Sequence, residues 1–194
     1  FVSPPKEPLP IIKEIFPEAS KISDKAGEVP VWTIFKGEEI IGYAFETNDH
    51  AKIPAYSGEP VNMLVAIDPK GVYLGAKVLE HHEPIILAGI PESKLHEFAD
   101  QYPGLSVSDR LKVGGNEQEG IVHIDGLSGA TVTVMVMNVA IVKSATRVAR
   151  DLGIISASQE IIQPMGTIYP DVYEKADWNT LVGDGSIRKL YLNR

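Results

Sequence analysis

One run constrains this chain more than any other. From Thr131 to Leu152 it is apolar almost without interruption, and it is entered through Gly126-Leu127-Ser128-Gly129-Ala130. Gly153 follows the last periodic residue, and Lys143, Arg147 and Arg150 gather toward the C-terminal end, where cations complement a helix dipole. The run therefore predicts a helix. Its β-branched residues give it modest intrinsic propensity, and through Ile141 it is apolar on nearly all sides, so burial has to hold it together. Its uncharged part, Gly126 to Val142, carries Ser128, Gly129, Thr131, Thr133 and Asn138 and is shorter than the roughly 20 predominantly apolar residues of a membrane span. It is read as the central helix of a globular core.

The surface for that helix to pack on lies upstream. VWTIFK and EEIIGYAFET are β-rich runs joined around Gly37, and NMLVAID and GVYLGAKVLE are joined by Asp68-Pro69-Lys70-Gly71, with proline where a turn wants φ near −65°. Four strands connected by tight turns imply an antiparallel sheet. The fold class is α+β, an antiparallel sheet packed against a long buried helix.

Shorter elements surround this frame. Ile11, Ile12, Ile15 and Phe16 suit one short amphipathic helix that Pro17 ends. Pro91 opens another, with Leu95, Phe98 and Tyr102 along one side, and IVHID reads as a strand. Beyond Ile154, a short helix near Asp171 to Leu181 and a strand IRKLYL are expected. A chain of 194 residues buries about 70% of its unfolded surface, enough for one core, so residues 1–30 are read as a lead-in with a short helix and 31–194 as a single domain. The start at Phe1 and the strand ending at Arg194 suggest a segment truncated from a longer protein.

Charge and cysteine usage narrow the functions. A net charge of −8 with no basic window disfavours nucleic acid and anionic lipid. The absence of cysteine removes disulfides, thiol nucleophiles, Cys-ligated zinc and iron–sulfur clusters from within this chain. No catalytic residue emerges: Ser128 has Gly126 two positions earlier but Ala130 in place of the second glycine of a nucleophile elbow, and GGNEQEG does not open an apolar helix after a strand. His81 and His82 are adjacent, so on a strand they face opposite ways, and no metal site is expected.

Chemistry is expected where Asp125-Gly126-Leu127-Ser128-Gly129-Ala130-Thr131-Val132-Thr133 leads a strand into the long helix. Small residues permit close backbone approach, the first helical N–H groups lack partners, and the dipole favours an anion. Two readings fit the spacing: an anion site, or a plain helix start capped by Ser128 or Thr131.

The same residues carry a resemblance. DGLSGAT with a following threonine resembles the flavinylation sequence of FMN-binding domains of the RnfG/NqrC/NosR type, and SGEPVNMLVAIDPKGVYLGAKVLEHHEP resembles their hairpin and Glu-containing loop. HHEPIILAGIPESKL and WNTLVGDGSIRKL are most similar to the NosR/NirI branch, over roughly residues 35 to 192. The resemblance makes 31–194 an FMN-binding domain. It implies FMN esterified by its phosphate to Thr131, with Asp125, Gly126, Leu127, Ser128, Gly129, Ala130 and Thr133 as the surrounding frame. It also implies that Glu83, with His82 or His81, contacts the flavin; partly exposed strand-end residues remain the alternative for these three. The implied setting is the periplasmic, electron-transferring, non-enzymatic domain of a bacterial inner-membrane protein. Its implied partners are a flavin transferase, nitrous oxide reductase or its maturation factors, and the membrane helices and iron–sulfur modules of the full-length protein. A docking or copper-assembly module without redox work is the alternative.

Overall fold

A computed structural model describes residues 5–25, 28–84 and 89–156. Its frame is a five-stranded antiparallel sheet in chain order, β1 (Lys21–Ile22), β2 (Trp32–Lys36), β3 (Glu39–Glu46), β4 (Asn62–Ile67) and β5 (Tyr73–Glu80). Both expected hairpins are present. In the second, Asp68 accepts from the N–H of Lys70 and of Val72, each at 2.8 Å, which closes the turn with the residue the sequence offered for it.

The central strand β4 is buried along its whole length, and its alternation sorts the core into two. Met63, Val65 and Ile67 face one cluster, together with Phe45, Val78, Leu95, Phe98, Tyr102 and the inward side of the long helix. Leu64 and Ala66 face the other, with Ile12, Phe16, Trp32 and Ile34. A strand with both faces covered needs an element on each side. The helix α1 (Pro8–Ile15) covers one, so the apolar spacing around Ile12 and Phe16 serves the core. The helices α3 (Ser93–Ala99) and α4 (Thr131–Asp151) cover the other.

The expected long helix is α4, and the sheet, the four-residue helix α2 (Thr47–His50) and a small parallel pair, β6 (Leu111–Val113) with β7 (Val122–Ile124), pack around it. Burial is one-sided, however. Val134, Met137, Ile141, Ala145 and Val148 are buried, whereas Val132, Met135 and Val139 stand on the outer face with 36–52% of their surface exposed. By length and hydropathy alone α4 would pass as a membrane span, but half of its most apolar window is packed inside the fold. The expected helix near Asp171 and the strand IRKLYL lie outside the described residues.

Candidate functional site

The loop between β7 and α4 is anchored at both ends and open in the middle. At its start the Asp125 N–H donates to Gln101 Oε1 (2.8 Å) and Gln101 Nε2 donates back to the Asp125 carbonyl (3.2 Å), which fixes the backbone beside the end of α3. Leu127 packs on the core, and the Ala130 N–H donates to the Leu127 carbonyl (3.1 Å), closing a tight turn with Ser128 and Gly129 at its centre. Gly129 sits at φ +84°, and a Cβ there would stand 2.9 Å from Ile90 Cδ1. The turn therefore requires glycine at this position. The side chains of Asp125 and Ser128 remain exposed.

Helix α4 begins at Thr131, after Ala130 at the N-cap, with no side-chain cap, so neither Ser128 nor Thr131 plays the plain capping role. The Val134 N–H donates to the Ala130 carbonyl (3.1 Å), which leaves the N–H groups of Thr131, Val132 and Thr133 ahead of the intrahelical ladder. With the helix dipole these groups make a local positive pole on an acidic chain. A cavity of about 380 Å³ opens there, walled by Tyr56, Glu83 and Pro84 on one side and by Gly129, Ala130, Thr131, Val132 and Thr133 on the other.

The two threonines behave differently. Thr131 is exposed at the cavity wall. Thr133 is 2% exposed, and its hydroxyl donates to Glu83 Oε2. Glu83 is itself buried, and its other oxygen accepts the Ser57 N–H at 2.8 Å. The Glu83 N–H donates to His81 Nδ1 at 3.2 Å. That bond puts the proton of neutral His81 on Nε2, which faces Glu92 Oε1 at 3.8 Å. Burial pushes the His81 pKa below its ordinary value, and the Glu92 and Glu83 carboxylates oppose this in part.

Of the residues singled out in the sequence, Glu83, Gly129, Ala130, Thr131 and Thr133 meet at this cavity. His81 lies behind Glu83, buried, while His82 points outward with its Nε2 4.0 Å from Glu80. The two histidines thus face opposite ways, although they follow the end of β5 and do not lie on a strand as expected. His123 is half-buried, its Nδ1 2.9 Å from the Gly114 carbonyl. Two contributors escaped the sequence reading: Tyr56, 70% exposed at the rim, and the Ser57 backbone N–H. No periodicity marks either. A larger hollow of about 490 Å³ lies between α1 and β1, with Lys13, Lys21 and Lys25 at its wall, of which Lys25 is bound to Glu46 (2.6 Å) and Asp49 (2.8 Å).

Comparison with known proteins places the site in a family context. Residues 56–146 match the family described as FMN-binding domain. The chain is 43% identical over 183 residues to the regulatory protein NosR of Stutzerimonas stutzeri, covering 94% of this chain and 25% of that protein. It is 29% identical to the protein NirI of Paracoccus denitrificans over 81% of this chain and 21% of that one. It is 34% identical to a component of the ion-translocating oxidoreductase complex of Haemophilus influenzae, over 50% of this chain and 45% of that one. The chain thus spans about a quarter of the length of the NosR relative.

Proposed function

This chain belongs to the FMN-binding domain family, and from that premise we propose that it is an electron-transfer domain whose FMN is esterified through its phosphate to Thr131. One observation carries the reading. Both threonines on the first turn of α4 line the cavity, but Thr131 is exposed at the uncapped helix end, while Thr133 is buried with its hydroxyl held by Glu83.

The residues fit the group they would hold. The free N–H groups of Thr131, Val132 and Thr133 suit a phosphate, and Gly129 lets the backbone come close without a side chain. Asp125, Gly126, Leu127, Ser128 and Ala130 complete the frame that a flavin transferase would read, with the Asp125 and Ser128 side chains outward. Glu83 borders the same cavity, with His81 behind it and His82 at the outer edge. When bound, FMN supplies electron acceptance and release in single steps, which no side chain here offers. Attachment needs an activated donor. Thr131 Oγ forms a P–O bond to the flavin phosphate as the phosphoanhydride of a flavin dinucleotide breaks, and the leaving nucleoside monophosphate carries away the hydroxyl proton. The phosphodiester that remains bears one negative charge, complementary to the helix end.

For the wider setting, which the likeness to the regulatory protein NosR supports only in outline, we propose a periplasmic domain of a bacterial inner-membrane protein, joined to membrane helices and iron–sulfur modules and supporting nitrous oxide reductase or its maturation factors. A second reading, a docking or maturation module without redox work, draws on the exposed apolar strip Val132, Met135 and Val139 beside the cavity. The test is co-expression with a flavin transferase, denaturing precipitation, and then absorbance and intact mass of the chain. Retained flavin absorbance with the mass of one FMN ester supports the leading reading. A protein that stays colourless under conditions that flavinylate a known acceptor would leave only the docking reading.

A further inference from the structure

We propose that Glu83 and Thr133 form a clasp that positions the first turn of α4 and thereby presents Thr131, and not Thr133, for modification. The proposal rests on the reading of Thr131 as the acceptor.

Residues two apart on a helix lie about 200° apart around its axis, so the hydroxyls of Thr131 and Thr133 point to opposite sides. That alone keeps one threonine outward. It does not hold the turn still, because an uncapped helix end has no local partner for its first N–H groups and frays readily. Glu83 provides the missing restraint from the side. Its carboxylate ties two distant stretches of chain to its own: Oε2 takes the Thr133 hydroxyl from α4 and Oε1 takes the Ser57 N–H from the loop before β4, while the residue's backbone N–H is held by His81 after β5. Glu83, His81 and Thr133 are each 2–3% exposed, so the bonds to Thr133 and His81 are made away from bulk water, while that to the exposed Ser57 is part-buried. Removing one partner strands the other in a place where water cannot replace it.

Two consequences follow for the site. The Thr133 hydroxyl is engaged as a donor, so it does not compete with Thr131 for the phosphoryl group. The first turn is also tied to the sheet at its third residue, which sets the direction of Thr131 and of the N–H groups beside it. Glu83 and Thr133 are positioning residues in this scheme, acting through Thr131.

Thr133→Val isolates the effect, because it keeps the shape, removes the hydroxyl and leaves the charge of Glu83 in place. With the purified chain, a flavin transferase and flavin adenine dinucleotide, the expected outcome is attachment to Thr131 slowed about tenfold, the scale of one lost buried partner. The loss should appear in kcat with KM for the chain little changed, and Thr133→Ser should restore the rate. Hydrogen exchange of the Thr131 to Val134 amides should quicken in the valine variant and recover in the serine one, a readout that requires no flavin. Attachment and amide protection both at wild-type levels in Thr133→Val would overturn the clasp. A serine variant as slow as the valine one would also overturn it. Wild-type chain that takes no flavin would instead overturn the acceptor reading, and the proposal with it, whatever the exchange data show.

Discussion

A hairpin turn and a strand-to-helix loop in this chain both start from aspartate and contain a glycine at positive φ, yet they use their polar groups in opposite ways. In the hairpin turn Asp68 to Gly71, the aspartate side chain takes two backbone N–H groups at 2.8 Å and the Gly71 N–H returns to the Asp68 carbonyl at 3.0 Å. Each acceptor serves the fold. In the loop Asp125 to Ala130, the backbone is fixed by Gln101 and by the Leu127 carbonyl, while the side chains of Asp125 and Ser128 stay exposed and the helix that follows has no cap. A stretch whose backbone is ordered while its polar side chains remain available is organised for something other than its own stability.

Thr131→Ala should separate the two roles most sharply. No covalent flavin is expected, because the ester has no oxygen to form on, while stability should move by no more than about 0.5 kcal/mol, the usual range for an exposed position. Thr131→Ser should keep some attachment. Intact-mass analysis after co-expression, with a thermal melt of the same sample, checks both halves. An FMN adduct of unchanged mass on the alanine variant would sink the assignment.

The two glycines give the next largest effect. Gly71 and Gly129 sit at φ +83° and +84°, so alanine at either should cost roughly 1–2 kcal/mol through backbone strain. Sterics then separate them. A Cβ at Gly71 meets Val107 Cγ2 at 2.8 Å and Ile154 Cγ2 at 3.3 Å, whereas at Gly129 it meets chiefly the tip of Ile90 at 2.9 Å, which can turn aside. Gly71→Ala should therefore be the more destabilising in urea titration and leave attachment untouched. Gly129→Ala should be milder in urea and yet slow attachment. The reverse order in both assays would break the comparison.

The aspartates sharpen it on a smaller scale. Asp68→Ala removes the acceptor of two backbone donors and should cost about 1–2 kcal/mol. Asp125→Ala should cost under about 0.5 kcal/mol and still reduce modification, since its side chain faces outward. Equal destabilisation by the two would mean that Asp125 belongs to the fold after all.

These regions also differ in how far they could be read from the sequence. The hairpin turn was legible in place, because Asp-Pro-Lys-Gly states its chemistry locally, but its register was not, since β4 is buried at every position and shifts against β5 between Ala66 and Ile67. The long helix was legible in position and extent, but its exposed face was not: composition gave apolar residues nearly all round, and only the packing separates buried Val134 and Met137 from exposed Val132 and Met135. The elements β1, α2 and β6 are two to four residues long, too short for a periodic signal, and the neighbours that hold them are distant in the chain. At the site, the SGAT stretch carried its own mark. The Glu83 to Thr133 contact spans 50 residues, and the Ser57 N–H is backbone, so neither leaves a trace in local pattern.

The finest test uses pH, and its sign can be worked out from His81. Burial lowers the His81 pKa in the folded chain below the ordinary 6.5, so the folded state holds this ring neutral where the unfolded chain would protonate it. The unfolded state then binds more protons as pH falls through about 6.5, and stability declines on that side and levels off above it. His50 and His96 are shifted the same way, first by burial, so the slope is shared among three rings. Each ring contributes less than about 1.4 kcal/mol per pH unit, the limit set by one proton. The groups acting on His81 are Glu92, Glu83, His82 and Lys6, two carboxylates that favour the charged ring and two bases that oppose it. What sets His81 apart is the bond it loses. A protonated Nδ1 cannot accept the Glu83 N–H, so acid should loosen the carboxylate that holds Thr133 and, with it, the turn that presents Thr131. His81→Asn keeps a side-chain acceptor and removes the titration. Between pH 7 and pH 5 it should flatten part of the stability slope, and it should remove the acid-induced quickening of hydrogen exchange at the Thr131 to Val134 amides. His96→Asn should flatten the slope without touching that exchange. Identical exchange profiles for wild type and His81→Asn would mean that the histidine does not govern the Glu83 loop, and that the floor of the cavity is held by Ser57 and Thr133 alone.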